Sequence, residues 1–251
     1  MPGYEIVLLD VEGTTTPISF VHDVLFPYIT NNMHEFLAAN WDDPMVQTHV
    51  QAIAEQANKD VQDGLPLATS IDLASDTAAA AREKVVSNIK WQMEADRKIG
   101  ALKGLQGYMW KTGYQAGELR GAMFRDAVDA MKRWSSKDAG RRVFIYSSGS
   151  VQAQKLIFGY SECGDLLPLI EGHFDTGIGS KLEAESYERI SREVDVAPEK
   201  ILFVSDNVRE LHAAEKAGMQ VVLSVRPGNA PVSEEEATKY HAVSDFMAIP
   251  L

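Results

Sequence analysis

The sequence predicts an α/β fold: a parallel sheet covered by helices, with an all-helical segment inserted after the first strand. Two observations lead there. Short apolar runs around residues 6–9, 142–146, 201–205 and 219–225 are bounded by turn residues and lead into helical patterns, whereas residues 20 to 120 hold helical stripes and no convincing strand. Apolar runs of this length read as strands buried on both faces, as parallel sheets require. Strands that alternate with helices form right-handed βαβ units.

The first run, Ile6–Leu9, continues into Asp10-Val11-Glu12-Gly13-Thr14-Thr15-Thr16. After Pro17 the period changes, and Val21, Val24, Leu25 and Tyr28 follow the i, i+3, i+4, i+7 stripe of one helix. The break Asn40-Trp41-Asp42-Asp43-Pro44 precedes a helix whose face carries Val46, Val50, Ile53, Ala54 and Ala57; Val85, Ile89 and Met93 line another. The second strand ends in Ser147-Ser148-Gly149-Ser150, followed by a helix over 151–158. The third ends at Asp206 and leads into a helix closing at Gly218, with the fourth strand directly after. Residues 1–19 and 121–251 are thus expected to form one discontinuous core, and 20–120 a helical cap. Arg226-Pro-Gly-Asn-Ala-Pro reads as a turn-rich loop, and Glu234 to Glu236 as a solvated helix start.

Composition narrows the function classes. The 251 residues are 45% apolar, ample for a buried core. The formal charge of −12, from 36 acidic against 24 basic residues, argues against a nucleic-acid surface, which needs clustered Lys and Arg. A single cysteine, Cys163, excludes a disulfide framework and a thiolate zinc cluster and suits a reducing cytoplasm. The first residues lead directly into a strand without a basic stretch and long apolar segment, and no run of about 18 apolar residues occurs, so neither targeting nor a membrane span is expected.

The chemistry concentrates at strand ends, where open α/β sheets place their ligands. Asp10 and Glu12 stand two residues apart on an extended segment and lean to one side, so both can address one reacting centre. Gly13-Thr14 lets backbone approach a ligand while presenting N–H groups and a hydroxyl. Ser147, Ser148 and Asp206 should converge on the same edge, joined by Lys181 from the Gly-rich stretch Phe174-Asp-Thr-Gly-Ile-Gly-Ser-Lys. Each also has a plain structural reading: the serines and Asp206 as helix caps, Lys181 as a surface cation, the Asp-x-Glu as a loop. Glu210, four residues beyond Asp206, could hold a metal-bound water or face solvent. His22, His34, His49, His173, His212 and His241 show no metal-ligand spacing.

In order, Leu9-Asp10-Val11-Glu12-Gly13-Thr14, Tyr146-Ser147-Ser148-Gly149-Ser150, Lys181 and Ser205-Asp206-Asn207 resemble the four motifs of the haloacid dehalogenase-like phosphatases. The resemblance implies a Rossmann-like core, with Asp10 as nucleophile and Glu12 as acid and base. It also implies phosphate held by Ser147, Ser148 and Lys181, and one Mg²⁺ per subunit at Asp10, Glu12 and Asp206. Glu12 departs from the superfamily's usual Asp. With Val11-Glu-Gly-Thr-Thr-Thr-Pro-Ile, Trp91-Gln-Met-Glu-Ala-Asp-Arg-Lys, the stretch from Leu102 to Tyr114 and Val225-Arg-Pro-Gly-Asn-Ala, the chain resembles the enolase-phosphatases of methionine salvage, also called acireductone synthases. That implies a cytoplasmic monomer that enolises 2,3-diketo-5-methylthiopentyl-1-phosphate and then dephosphorylates it. Met93, Trp110 and Tyr114 in the cap are candidates for the methylthio tail, beside their reading as ordinary core.

Two other readings remain at this point: a general Mg²⁺-dependent small-molecule phosphomonoesterase, and a non-catalytic module whose acidic surface suits a basic partner. A dehalogenase is disfavoured, because halide release needs no proton donor and Glu12 would lack a role.

Overall fold

The apolar run Ile6–Leu9 forms β1, and all four of its side chains are wholly buried. That burial follows from its place at the centre of a five-stranded parallel sheet of order β3-β2-β1-β4-β5, with β2 Arg142–Tyr146, β3 Gly172–Phe174, β4 Ile201–Ser205 and β5 Gln220–Leu223. Leu9 lies level with Ile145 on one side and Val204 on the other, so Asp10 leaves the sheet beside the carboxyl ends of both neighbours.

The computed structural model describes residues 3–251, and the contacts divide the chain into two units: the segment up to His22 with Leu119–Leu251, and Asp23–Glu118. In the first unit, α6 Arg125–Trp134, α7 Val151–Gly159, α8 Ala184–Glu193 and α9 Val208–Lys216 accompany the sheet. One face of the sheet packs Ile6, Leu8, Phe144, Tyr146 and Phe203 against Tyr187, Ile190 and Leu211. The short α10 Glu234–Lys239 starts with a capping box between Ser233 and Glu236, and its three leading glutamates favour the positive end of the helix dipole.

The second unit is helical: α2 Phe26–Ala39, α3 Pro44–Gln62, α4 Ala78–Glu94 and α5 Gly100–Ala116. Asp43 caps α3 through Met45 N at 2.7 Å, Pro44 opens it, and Gly117, at φ +78°, ends α5 in a left-handed cap. The predicted stripe Val46, Val50, Ile53, Ala54 and Ala57 is buried against Val85, Ile89, Leu102 and Met109. Asp60, buried among these helices, is neutralised by Arg97, whose guanidinium also lies 5.0 Å over the Trp91 ring; that hydrogen-bonded cation holds the Asp60 carboxyl below the usual range.

Two sequence expectations need correction. Four strands were expected and five are present; β3 spans only three residues at a sheet edge, too short to show alternation. The stripe from Val21 to Tyr28 is not one α-helical face. It starts as α1 Ile18–Phe20, passes through a π-helical turn at Val21–Leu25 and resumes as α2. The wider turn rotates the face, leaving Val24 40% exposed while Val21 and Leu25 stay buried.

Candidate active site

Asp10, the first residue past β1, is 6% exposed and anchors the site. Lys181 Nζ meets its Oδ1 at 2.6 Å, and the Thr14 hydroxyl donates to its Oδ2 at 3.2 Å. Lys181 is itself 7% exposed and makes a second ion pair, to Glu210 Oε2 at 2.6 Å. Burial opposes the ammonium charge, but Asp10 and Glu210 together outweigh it and hold Lys181 protonated, above the usual lysine range.

The sequence supports this lysine from several sides. Its carbonyl accepts from Tyr187 Oη at 2.8 Å, and its ammonium lies 5.6 Å from the Tyr146 ring and 5.9 Å from that of Phe203. Tyr146 donates to the Gly179 carbonyl at 3.1 Å. Gly179, at φ +145°, has no room for a side chain, because a Cβ would stand 2.2 Å from Ser186 Oγ.

Two short side chains join the neighbouring strand ends. Thr14 Oγ1 donates to Asp10 and accepts from the Asp206 amide at 3.1 Å, while Ser205 Oγ donates to Glu210 at 3.0 Å and accepts from the Asn207 amide at 3.1 Å. Asp206, half-buried, has its carboxyl pushed up to about 7, by burial first and then by repulsion from Asp10 and Glu210. The same two causes raise Glu210. Three acidic side chains therefore share one ammonium, and the centre lacks positive charge.

That deficit bears on metal binding. Among the described residues, no three Asp, Glu, His or Cys side chains form a ready-made metal cage. Mg²⁺ does not require one, because it keeps several waters and binds through one or two carboxylates plus substrate phosphate. Surplus negative charge and all-oxygen donors fit a hydrated divalent cation beside Asp206, whose Oδ2 approaches the Gly13 backbone so closely that only glycine, at φ +71°, is accommodated there.

The other predicted residues lie as follows. Ser147 is buried just beyond β2, its Oγ accepting from the Gly149 amide at 3.2 Å; Ser148 is exposed; Ser150, not Ser147 or Ser148, caps α7. Glu12 is half-buried, and its backbone bridges to Thr16. Asn207, not Asp206, caps α9. Glu210 does not face solvent: it is the buried second partner of Lys181. Its position in the first turn after the Asn207 cap is the signal that places it next to the strand end. Tyr114 and Met93 are buried or partly buried in the helical unit, and Trp110 Nε1 donates to the Leu25 carbonyl at 2.9 Å. No helix among the described residues is long and apolar enough to cross a membrane.

Known proteins resemble this chain along most of its length. The profile of the haloacid dehalogenase-like hydrolases matches residues 4–218. The Enolase-phosphatase E1 of Danio rerio is 45% identical over 250 residues, covering 98% of this chain and 94% of its own. That of Synechococcus elongatus is 45% identical over 240 residues, with 96% of both chains covered. The crystal structure of the Unknown transcript 4 protein of Saccharomyces cerevisiae superposes with a TM-score of 0.78 at 36% identity, covering 98% of this chain and 100% of that one. By motif order, site geometry and identity along nearly its whole length, the chain belongs to the enolase-phosphatase family of the haloacid dehalogenase-like hydrolases.

Proposed function

We propose that the protein is a Mg²⁺-dependent acireductone synthase, turning 2,3-diketo-5-methylthiopentyl-1-phosphate into 1,2-dihydroxy-3-keto-5-methylthiopentene and phosphate by way of the enol phosphate. The observation that carries the chemistry is the buried Asp10–Lys181–Glu210 chain, with Asp206 alongside; the substrate follows from the family. In this reading the Asp10 carboxylate attacks phosphorus in line, the bond to the enol oxygen breaks, and Glu12 gives that oxygen a proton. Water then opens the aspartyl-phosphate, and Glu12 takes the water's proton. Lys181 and the Ser147 hydroxyl hold phosphate oxygens, with Ser148 at the rim. Asp10, Glu12 and Asp206 would hold Mg²⁺, which supplies positive charge that lets a phosphate dianion approach three acids. The segment 20–120 acts as the cap that shields the reaction from water, and the protein works as a cytoplasmic monomer on a small diketone phosphate.

Substrate choice tests the reading. The diketo phosphate should be both enolised and dephosphorylated, and Mg²⁺ chelation should stop phosphate release. Turnover of an unrelated sugar phosphate, with the diketone untouched, would instead identify a general phosphomonoesterase.

A further inference from the structure

Asn229 follows β5 and carries a carboxamide whose two ends are committed differently. Its Nδ2 donates to the Gly13 carbonyl at 2.9 Å and lies 3.3 Å from the Ser224 carbonyl. Both partners accept only, so the amide orientation is fixed: the reverse would set oxygen against two carbonyls. Oδ1 is therefore turned the other way, where it is buried without a hydrogen-bond partner. A buried amide oxygen left in that state keeps the full cost of its lost hydration.

What lies beside it is Asp206. A Cβ added to Gly13 would stand 2.8 Å from Asn229 Oδ1 and 2.5 Å from Asp206 Oδ2, so the two oxygens press on the same side of the Gly13 backbone and lie close to one another. An amide oxygen and a carboxylate this close repel each other, and a hydrated cation held by the carboxylate offsets that repulsion and supplies the O–H donor the amide oxygen lacks.

We infer that Asn229 Oδ1 is an oxygen acceptor of the divalent-cation site, binding the hydrated cation next to Asp206. The inference rests on the Mg²⁺ reading above and adds a residue to it. Mg²⁺ keeps several of its waters, whose O–H groups an amide oxygen can accept, and outer partners of a metal site typically contribute about 10–100-fold in affinity.

The test titrates MgCl₂ into the substrate-free protein and follows the rise in Tm, for wild type, Asn229→Ala and Asn229→Asp. The Ala variant should bind Mg²⁺ about tenfold more weakly. The Asp variant, which loses the amide donor but keeps an oxygen and gains charge, should bind at least as tightly as wild type. If Asn229 only anchors Gly13 through Nδ2, both variants lose that anchor and both weaken, which overturns the inference; an Ala variant with wild-type affinity overturns it equally. Should the Ala variant fail to fold, the Asp variant decides alone, weaker binding being the contrary result. A wild type with no saturable Mg²⁺ response would overturn the Mg²⁺ reading itself, a result distinct from any difference among Asn229 variants.

Discussion

Replacing Asp126 with Ala removes a bidentate carboxylate from an enclosed guanidinium. The Arg226 side chain is 3% exposed and meets Asp126 through two parallel contacts, Nη1–Oδ1 at 3.0 Å and Nη2–Oδ2 at 2.8 Å. Its other neighbours are the carbonyls of Ser244 and Thr14, at 2.8 and 3.3 Å, and the rings of Phe124 and Phe246, 4.4 and 4.3 Å from the guanidinium carbon. Carbonyls and ring faces soften the charge without neutralising it. The Phe246 amide, which donates to Asp126 Oδ2 at 2.8 Å, would be stranded too. Breaking a buried pair from one side costs about 3–5 kcal/mol, a large share of a total stability of about 5–15 kcal/mol. In a chain of this size about 1 kcal/mol moves Tm by about 2–4 °C, so Asp126→Ala should melt roughly 6–20 °C early. Urea unfolding read by tryptophan fluorescence is suitable, since Trp134 is fully buried and its ring lies 6.3 Å from that of Phe246. The double variant Asp126→Leu/Arg226→Met, with both charges gone, should lose less than the two single changes summed. A loss below about 1 kcal/mol for Asp126→Ala, the scale of a surface pair, would refute the reasoning.

Gly13→Ala combines a left-handed φ of +71° with a Cβ 2.5 Å from Asp206 Oδ2; strain of about 1–3 kcal/mol and a displaced carboxylate should cut kcat on the order of 100-fold, and a wild-type kcat in a steady-state assay would show that this turn does not set Asp206. His173 is held to about 4, by burial first and then by Lys155. The folded ring therefore stays neutral while the unfolded chain takes up a proton, so stability is unaffected above pH 6.5 and falls as pH drops from 6.5 towards 4. Discounted for the ring's partial exposure, the loss is about 1–2 kcal/mol; urea unfolding at pH 7 and pH 4.5 should show it in wild type and not in His173→Gln, and an equal slope in both would assign the pH dependence elsewhere.

Periodicity revealed what depends on burial. Ile6–Leu9, Ile201–Ser205 and the α3 stripe from Val46 to Ala57 lie where apolar spacing places them, because a side chain's face follows directly from its period. Spacing failed where backbone geometry changes without a change of composition, as in the π-helical turn that exposes Val24 and the three-residue β3. The convergence of Asp10, Lys181 and Asp206 on one edge was legible because strand ends converge by topology. The placement of Glu210 and Asn229 was not, since it depends on which way one side chain turns: Glu210 inward to Lys181, Asn229 with its amide nitrogen on the Gly13 carbonyl. Rotamers of that kind are decided by tertiary packing.

The most direct measurement gives the diketo phosphate and Mg²⁺ to wild type and Asp10→Asn, following enol absorbance and phosphate release together. Asp10 is proposed to act only in the second of two steps in one site. The variant should therefore accumulate enol while releasing no phosphate, whereas wild type releases phosphate with the enol transient. Phosphate released by Asp10→Asn at the wild-type rate would contradict the account, because the nucleophile would then be another group.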